Sequence, residues 1–523
     1  MDIVIKLGLL IIFFGLMIFV GFRNRHRAGD VTGFVLGGRE VGPWLTAFAY
    51  GTSYFSAVIF VGYAGQFGWK FGIASTWIGI ANAILGSLLA WVVLGRRTRV
   101  MTQHLSSATM PQFFDTRFQS PSLKIAASVI CFIFLIPYTA SLYNGLSRLF
   151  AMAFNVDYAV CVIIMAVLTA VYVIAGGYMA TAVNDFIQGI IMLFGIVAVI
   201  AAVLRGQGGF IAALDGLARV EDASVSNTPG IFASFFGPDP FNLFCVMILT
   251  SLGTWGLPQM VQKFYAIKSE QAISKGTIIS TFFAVVVAGG CYFLGGFGRL
   301  FSSVLDPNAT GAPAGGFDNI IPTMLEGLPV ILIAIVVVLV LSASMSTLSS
   351  LVLTSSSTLT LDFLKGGVKK DMSEKQQMFI MKLMIVVFIV ISVILAIVQY
   401  KKGVTFIAQL MGVSWGALAG AFLAPFLYGL YWKRATAASC WVSFAFSTVV
   451  MLLNIFFRSS FPKVLQSPIN AGAFCMIAGL VIVPIISAVT KAPDADHIAN
   501  VFSCYERKVT VLAKEAIGDE IAE

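Results

Sequence analysis

Thirteen long apolar stretches, each close to the length that a helix needs to cross a lipid bilayer, dominate the sequence. They lie near residues 3–22, 45–66, 73–95, 123–151, 156–177, 183–204, 241–262, 275–297, 328–361, 378–400, 404–430, 436–457 and 469–490. About 20 mostly apolar residues span a membrane as a helix. Only 11% of the 523 residues are charged, less than half the share of about 25% in soluble domains. The sequence therefore predicts an all-α polytopic membrane protein with about 13 transmembrane helices.

The positions of the basic residues predict the orientation of these helices. With the N-terminus outside, 23 of the 33 Lys and Arg residues fall in cytosolic segments and 10 fall elsewhere, as the positive-inside rule requires. We therefore expect a multi-pass protein of the plasma membrane with a cytoplasmic C-terminus. The net charge of +9 is then explained by the orientation of the helices in the lipid bilayer, and no nucleic-acid partner is expected.

The residue types that usually carry catalysis are scattered along the chain. The seven cysteines form no CxxC pair, and the three histidines lie in predicted loops or in the tail. Neither a metal centre nor a Ser-His-Asp triad is predicted. We expect no enzymatic activity.

Two predicted spans are interrupted near their middle. Span 2 reads TAFAYGTSYFSAVIFVGYAG, with residues 51–53 at mid-depth, and span 7 reads MILTSLGTWGLPQMVQKF, with Gly253, Gly256 and Pro258 there. Gly and Pro weaken a helix, and either interruption alone is compatible with a simple kink. Each span, however, opens a block of five helices, and an odd number gives consecutive blocks opposite topology. Inverted-repeat secondary transporters have this layout and hold ion and solute where the first helix of each repeat unwinds.

The same layout predicts how the chain is divided. The expected regions are an N-terminal helix and cytosolic loop (1–40), a first repeat (41–205), an extracellular loop (206–240), a second repeat (241–430), two accessory helices (431–490) and a cytosolic tail (491–523).

Span 9 carries a ladder of hydroxyl side chains, LSASMSTLSSLVLTSSSTLTLDF. Ala343, Ser346, Thr347 and Ser350 follow i, i+3, i+4, i+7 spacing and share one helix face, with Ser349 beside it. Hydroxyl and carbonyl oxygens suit a hard cation such as sodium. The alternative is a packing seam whose hydroxyls bond to carbonyls of their own helix. We interpret the second hydroxyl cluster, residues 354–360, as such a seam or as a helix end.

One carboxylate stands out in this apolar chain. Asp185, in GGYMATAVNDFIQG, lies at the predicted start of span 6. There it either caps a helix N-terminus or belongs to a cation site or pathway. Position alone favours the cap.

Four segments together resemble the signatures of the sodium/solute symporter family, in the expected order. They are GGREVGPWLTAFAYGTSYFSAVIFVG, AGGYMATAVNDFIQG, WGLPQ and SASMSTLSS. The resemblance covers about residues 30–430. It implies sodium as the coupling ion and a LeuT-type 5+5 inverted repeat with one extra helix before it and two after. Members of the family transport proline, pantothenate, monocarboxylates, sialic acid and sugars.

The resemblance also implies sodium ligands. By similarity, the principal site uses backbone carbonyls and two hydroxyls, from Thr52, Phe55, Ala343, Ser346 and Thr347. Some members have a second sodium site built from an aspartate and serines, which correspond here to Asp185, Ser346, Ser349 and Ser350.

Solute contacts are expected, by the same similarity, at the two breaks. They are Ser53, Tyr54 and Ser56 on span 2, and Ser251, Thr254, Trp255 and Gln259 on span 7. Proline transporters of the family carry an aspartate at the position of Tyr54, and many sugar transporters carry an asparagine. Trp255 and Tyr138 are candidates for the pocket wall.

These features predict a sodium-coupled symporter that imports a small organic solute, carboxylate or amino-acid-like, by alternating access. Within the same fold, the alternative is a sodium-coupled sugar or proline transporter. The alternative of a different class is a membrane sensor or a sodium-independent facilitator.

Overall fold

Helices account for nearly all of the structure, a computed structural model that describes residues 2–154, 157–301, 313, 316–402 and 407–506. Most of the predicted tail therefore lies outside the described residues. In the first half of the chain the helices are α1 (Asp2–Arg23), α2 (Val31–Leu36), α3 (Pro43–Tyr54), α4 (Ala64–Phe71), α5 (Thr76–Ala81), α6 (Arg96–His104), α7 (Met110–Phe118), α8 (Pro121–Phe154), α9 (Tyr158–Gly206) and α10 (Phe210–Ala218). In the second half they are α11 (Pro240–Gly256), α12 (Pro258–Ala266), α13 (Glu270–Phe283), α14 (Gly290–Gly295), α15 (Ile320–Glu326), α16 (Val330–Ser357), α17 (Glu374–Lys402), α18 (Ile407–Tyr431), α19 (Ala437–Phe456), α20 (Pro468–Val489) and α21 (Ala495–Ser503).

The predicted all-helical class is confirmed, whereas the count of 13 stays a prediction. Within the described ranges, nine helical segments are long and apolar enough to cross a membrane, or ten if the bent pair α11 and α12 forms one span. The 49 residues of α9 contain two of the predicted stretches. At about 1.5 Å per residue such a helix is more than twice the bilayer thickness of about 30 Å, and it is kinked at Gly177, where φ is 54° and ψ is −150°.

Burial places α18 and α16 at the centre of the bundle. In their most apolar stretches, 94% of α18 and 67% of α16 are buried, against 33% of α17. Small residues allow close packing in the centre: a Cβ atom added to Gly472 of α20 would lie 2.7 Å from the Cα atom of Gly416 in α18. Close backbone approach through glycine is how membrane helices commonly pack.

The first predicted break is present but lies further along the chain than expected. Helix α3 continues through residues 51–53 to Tyr54, and the chain turns extended at Phe55 (φ −88°, ψ 123°) before a π-helical segment, Val58–Tyr63. Gly51 serves packing instead, because a Cβ atom there would collide with the ring of Phe283.

The second predicted break is confirmed. Helix α11 ends at Gly256, Leu257 is extended (φ −84°, ψ 120°), and α12 begins at Pro258 with a bend of 45°. Proline at the first helical position loses no hydrogen bond. A Cβ atom at Gly256 would lie 2.8 Å from the Cα atom of Ala419, so the glycine also lets α18 pack directly against the break.

Candidate functional site

The hydroxyl ladder of α16 meets the end of α3. The Ser346 hydroxyl donates to the backbone carbonyl of Thr52 at 3.0 Å and to that of Ala343 at 3.1 Å. The Thr347 hydroxyl lies 3.1 Å from the same Thr52 oxygen and 3.3 Å from the carbonyl of Phe55. It is also 3.0 Å from the carbonyl of Ala343 in its own helix. The five residues predicted for the principal sodium site thus share one buried cluster of oxygen atoms.

The helix break supplies part of this cluster. The last carbonyls of a helix have no N–H partner within it, so the end of α3 at Tyr54 frees the Thr52 carbonyl for other partners. A hydroxyl has one proton and two lone pairs, so Ser346 and Thr347 can rotate from donor to cation ligand. The five predicted ligand groups carry no formal charge, which suits a monovalent hard cation, since divalent sites are usually built with carboxylates.

The alternative interpretation of the ladder, a packing seam, describes only part of it. Bonds back to the carbonyl of Ala343 fit a seam, but the bonds to α3 do not. Further along, the hydroxyls of Ser356 and Ser357 in α16, and of Thr358 just beyond its end, donate to carbonyls of α16. These three fit the seam expected for the second hydroxyl cluster, whereas the Thr354 hydroxyl of the same cluster donates to the side-chain oxygen of Gln262 in α12 at 2.8 Å.

Asp185 lies inside α9, about two turns beyond the kink at Gly177. Its side chain is fully buried, and neither carboxylate oxygen has a hydrogen-bond partner among the described residues. The capping interpretation is therefore wrong, because no helix begins at this residue. A buried carboxylate without a partner is unfavourable, and a neighbouring cation would stabilise it.

The three serines predicted for the second sodium site have different partners. The Ser349 hydroxyl donates to the carbonyl of Ser346 at 2.8 Å, within α16. The hydroxyl oxygens of Ser350 and Ser53 are 2.7 Å apart, which connects the ladder to the first break. The ammonium group of Lys263 donates to the Ser350 hydroxyl at 3.0 Å.

Sequence reasoning missed the position of Lys263. The 23 basic residues expected in cytosolic segments include Lys263, but the structure places it in α12 with only 2% of its surface exposed. The available signal was the sequence FYAI directly after Lys263, which keeps the lysine inside an apolar helix.

The solute-contact residues predicted at the first break are all buried. The hydroxyl of Tyr54 has no hydrogen-bond partner in the described part of the chain. Its ring centroid lies 6.1 Å from that of Trp415, and Trp415 meets Tyr138 edge-to-face at 5.9 Å. Three aromatic side chains therefore line up beside Ser53 and Ser56, and the sequence identified two of them.

The residues predicted at the second break are mostly engaged with a neighbouring helix. The Ser251 hydroxyl donates to the amide oxygen of Asn82 at 2.9 Å. Asn82 begins a second π-helical segment, Asn82–Leu89. Thr254 and Trp255 donate to backbone carbonyls of this segment at 3.0 and 2.9 Å. Gln259 differs, because its buried amide oxygen and nitrogen both lack partners among the residues that the structure describes.

A small cavity between the two breaks has a volume of about 10 Å³, enough for about one water molecule. Tyr54 and Thr254, one predicted residue from each break, line it, while the other five predicted solute residues do not. The further polar and aromatic residues in its lining, none of them predicted, are Tyr50, Asn82, Ser87, Ser280 and Phe283. An organic solute can enter this site only if the breaks move apart.

A larger cavity of about 640 Å³ lies where α4 ends and α11 and α20 begin, on the outer face in the expected orientation. Its wall includes Arg299, whose guanidinium pairs with Asp222 at 2.9 Å. Burial alone would raise the pKa of the Asp222 carboxyl, but hydrogen bonds from Ser224 and Arg299, together with the guanidinium charge, lower it below its usual value. The pair ties the loop before α11 to the end of the helix that contains α13 and α14.

The chain is similar to known transporters over nearly its whole length. The model of the sodium:solute symporter family matches residues 34–444. The osmoregulated proline transporter of Bacillus subtilis (strain 168) is 27% identical, covering 94% of this chain and 96% of that protein. A sodium/proline symporter of Staphylococcus aureus is also 27% identical, covering 92% of each.

Solved structures agree on the fold. A sodium-coupled sialic acid symporter, in a substrate-bound outward-open state, superposes with a TM-score of 0.71 at 17% identity, covering 94% of this chain and 99% of that one. A nucleobase-cation-symport-1 family transporter, Mhp1, superposes with a TM-score of 0.50 at 14% identity, covering 90% and 97%. The expected LeuT-type architecture is confirmed. The family match covers far more than half of the residues, and this chain belongs to the sodium:solute symporter family, whose members are sodium-coupled transporters and not enzymes.

Proposed function

We propose that this protein imports a small amino-acid-like carboxylate together with sodium, and that the principal sodium ion binds the oxygen cluster of Thr52, Phe55, Ala343, Ser346 and Thr347. The observation that carries the proposal is the contact between the α16 hydroxyls and the carbonyls at the end of α3, at 3.0 to 3.3 Å. A cation there would fix the first break against the ladder. It would thereby order the residues that follow Thr52 and line the solute cavity.

Proline is the first candidate for the solute. The relatives named above are proline transporters, and the polar side chains predicted to contact the solute are neutral. The Tyr54 hydroxyl and the Gln259 amide are buried with unused hydrogen-bonding capacity in the described structure, so they can bind a carboxylate without a cationic side chain. Trp415 offers an apolar surface for a small ring. The resemblance places an aspartate at the position of Tyr54 in proline transporters. A neutral hydroxyl at this position favours binding of the solute's carboxylate over binding of its ammonium group.

The proposed direction of transport is inward across the plasma membrane, with the N-terminus outside. The distribution of basic residues supports this orientation. An inside-negative potential then favours sodium entry by about 2.3 kcal/mol per charge per 100 mV. The large cavity at the end of α4 would be the entrance from which the solute reaches the breaks.

Uptake into proteoliposomes tests the proposal. The purified full-length protein would be given radiolabelled proline, small monocarboxylates and a sugar under an inward sodium gradient, with an equal potassium gradient as control. We expect accumulation of proline or of a related carboxylate in sodium only. Equal uptake in potassium would refute sodium coupling, whereas sodium-driven uptake of the sugar alone would refute the solute class.

A further inference from the structure

Lys263 is a buried cation that the proposed function leaves without a role. Only 2% of its surface is exposed. Its ammonium group donates to the Ser350 hydroxyl at 3.0 Å and lies 5.1 Å from the ring centroid of Tyr178. Neither contact supplies a negative charge, and a buried charge is unfavourable unless it is compensated.

The compensating charge is Asp185. Tyr178 and Asp185 follow i, i+7 spacing on α9 beyond its kink, so the face of α9 that meets the ammonium group also carries the carboxylate. Opposite charges at these two buried positions attract each other. The carboxylate oxygens have no hydrogen-bond partner among the described residues, so the ammonium charge is the stabilisation that the structure provides for them.

Ser350 connects this charge pair to the predicted second sodium site. Its oxygen accepts a hydrogen bond from Lys263 and is also 2.7 Å from the Ser53 hydroxyl. A hydroxyl oxygen has only two lone pairs. A sodium ion bound to Ser350 would therefore share one small oxygen atom with the ammonium group, and two neighbouring cations in a buried site repel each other strongly.

We propose that the Lys263 ammonium group takes the place of the second sodium ion between Asp185 and Ser350, so that this protein binds one sodium ion per chain. The inference rests on the proposed function, because it takes the principal cluster as the one sodium site. The lysine is a cation fixed to α12, directly after the second break, and it contacts the ladder of α16. The charge that a second ion would bring from solution is thus built into α12.

Equilibrium binding of radioactive sodium to the purified full-length protein in lipid nanodiscs tests this inference without knowledge of the solute. We expect one ion per chain for the wild type and two for Lys263→Met, because methionine has a similar length without the charge. Lys263→Arg keeps the positive charge and should still bind one ion. Adding Asp185→Asn to Lys263→Met should return the count to one.

Two results would overturn the inference: two ions bound by the wild type, or one ion bound by folded Lys263→Met. If Lys263→Met does not fold, Ser349→Ala decides in its place. We expect this variant to bind one ion like the wild type, whereas a loss from two ions to one would show that sodium occupies the second site. Failure of the proposed function gives a different result, because the wild type would then bind no sodium.

Discussion

Thr347→Val is the substitution that tests the principal sodium site most directly. Valine has nearly the shape of threonine but lacks the hydroxyl that lies 3.1 Å from the Thr52 carbonyl and 3.3 Å from that of Phe55. The side chain is fully buried in the centre of the bundle, so the substitution removes this oxygen with little change in shape. The variant should fold, since both residues are β-branched and the position is packed on all sides.

The expected loss of sodium affinity and of stability follows from what the Thr347 hydroxyl does with and without bound sodium. A hydrogen-bonding group that faces a charge contributes about 1.5–3 kcal/mol, and each 1.4 kcal/mol changes an affinity about tenfold. Sodium affinity should therefore fall by roughly 10- to 150-fold. Stability in the absence of sodium should fall by only about 1 kcal/mol, the usual net contribution of a hydrogen bond between neutral groups.

Thr358→Val is the matched control. Thr358 lies beyond the end of α16, is equally buried, and donates to the carbonyls of Thr354 and Ser355 at 2.9 and 3.1 Å. The Thr358→Val variant therefore loses similar hydrogen bonds but no predicted sodium ligand. The assay is the sodium concentration that half-maximally stabilises the purified protein against heat. If both variants shift this concentration equally, or if neither shifts it, the assignment of Thr347 as a ligand is refuted.

Two further predictions concern the scaffold. Gly177→Ala should destabilise the protein by about 1–3 kcal/mol, because a φ of 54° strains any residue with a Cβ atom. Gly206→Ala is the control, since a Cβ atom there would have no neighbour within 4 Å. Equal melting temperatures of the two variants would contradict the argument. The partners of Asp222 lower its pKa in the folded state. The ion pair with Arg299 therefore stabilises the fold fully above the unfolded-state pKa of about 3.9. This stabilisation is lost as the pH falls through the lower pKa of the folded state. Asp222→Asn should therefore lose less stability than the wild type on acidification from about pH 4, and parallel losses would refute this.

The fold and the two breaks could be predicted from local sequence. Apolar length specifies a membrane helix with little help from tertiary contacts, and Pro258 ends α11 by its own chemistry. The first break was placed too early because glycine has two roles. Gly51 makes room for Phe283, while the turn itself is at Phe55, a residue that gives no such signal.

The contacts that complete the site could not be predicted in the same way. Asn82 and Trp415 reach it from other helices, and nothing in their own neighbourhoods marks them as partners of a break. The apolar sequence after Lys263 indicates burial but not the contact of its ammonium group with Ser350. These contacts depend on how the helices pack against one another, which hydropathy does not encode. By contrast, the ladder on α16 was visible because its members share one helix face.

The geometry also gives a physical reason for coupling between ion and solute. The Thr52 carbonyl belongs to the oxygen cluster. The next residue, Ser53, bonds to the ladder, and the one after it, Tyr54, lines the proposed solute cavity. A cation at the cluster therefore restricts the same short segment of backbone that a solute would restrict from the other side. Whichever ligand binds first orders the segment for the second, and the increase in affinity must be equal in both directions. Under the proposed function, coupling would need no long pathway, because the two proposed sites share the last turn of α3.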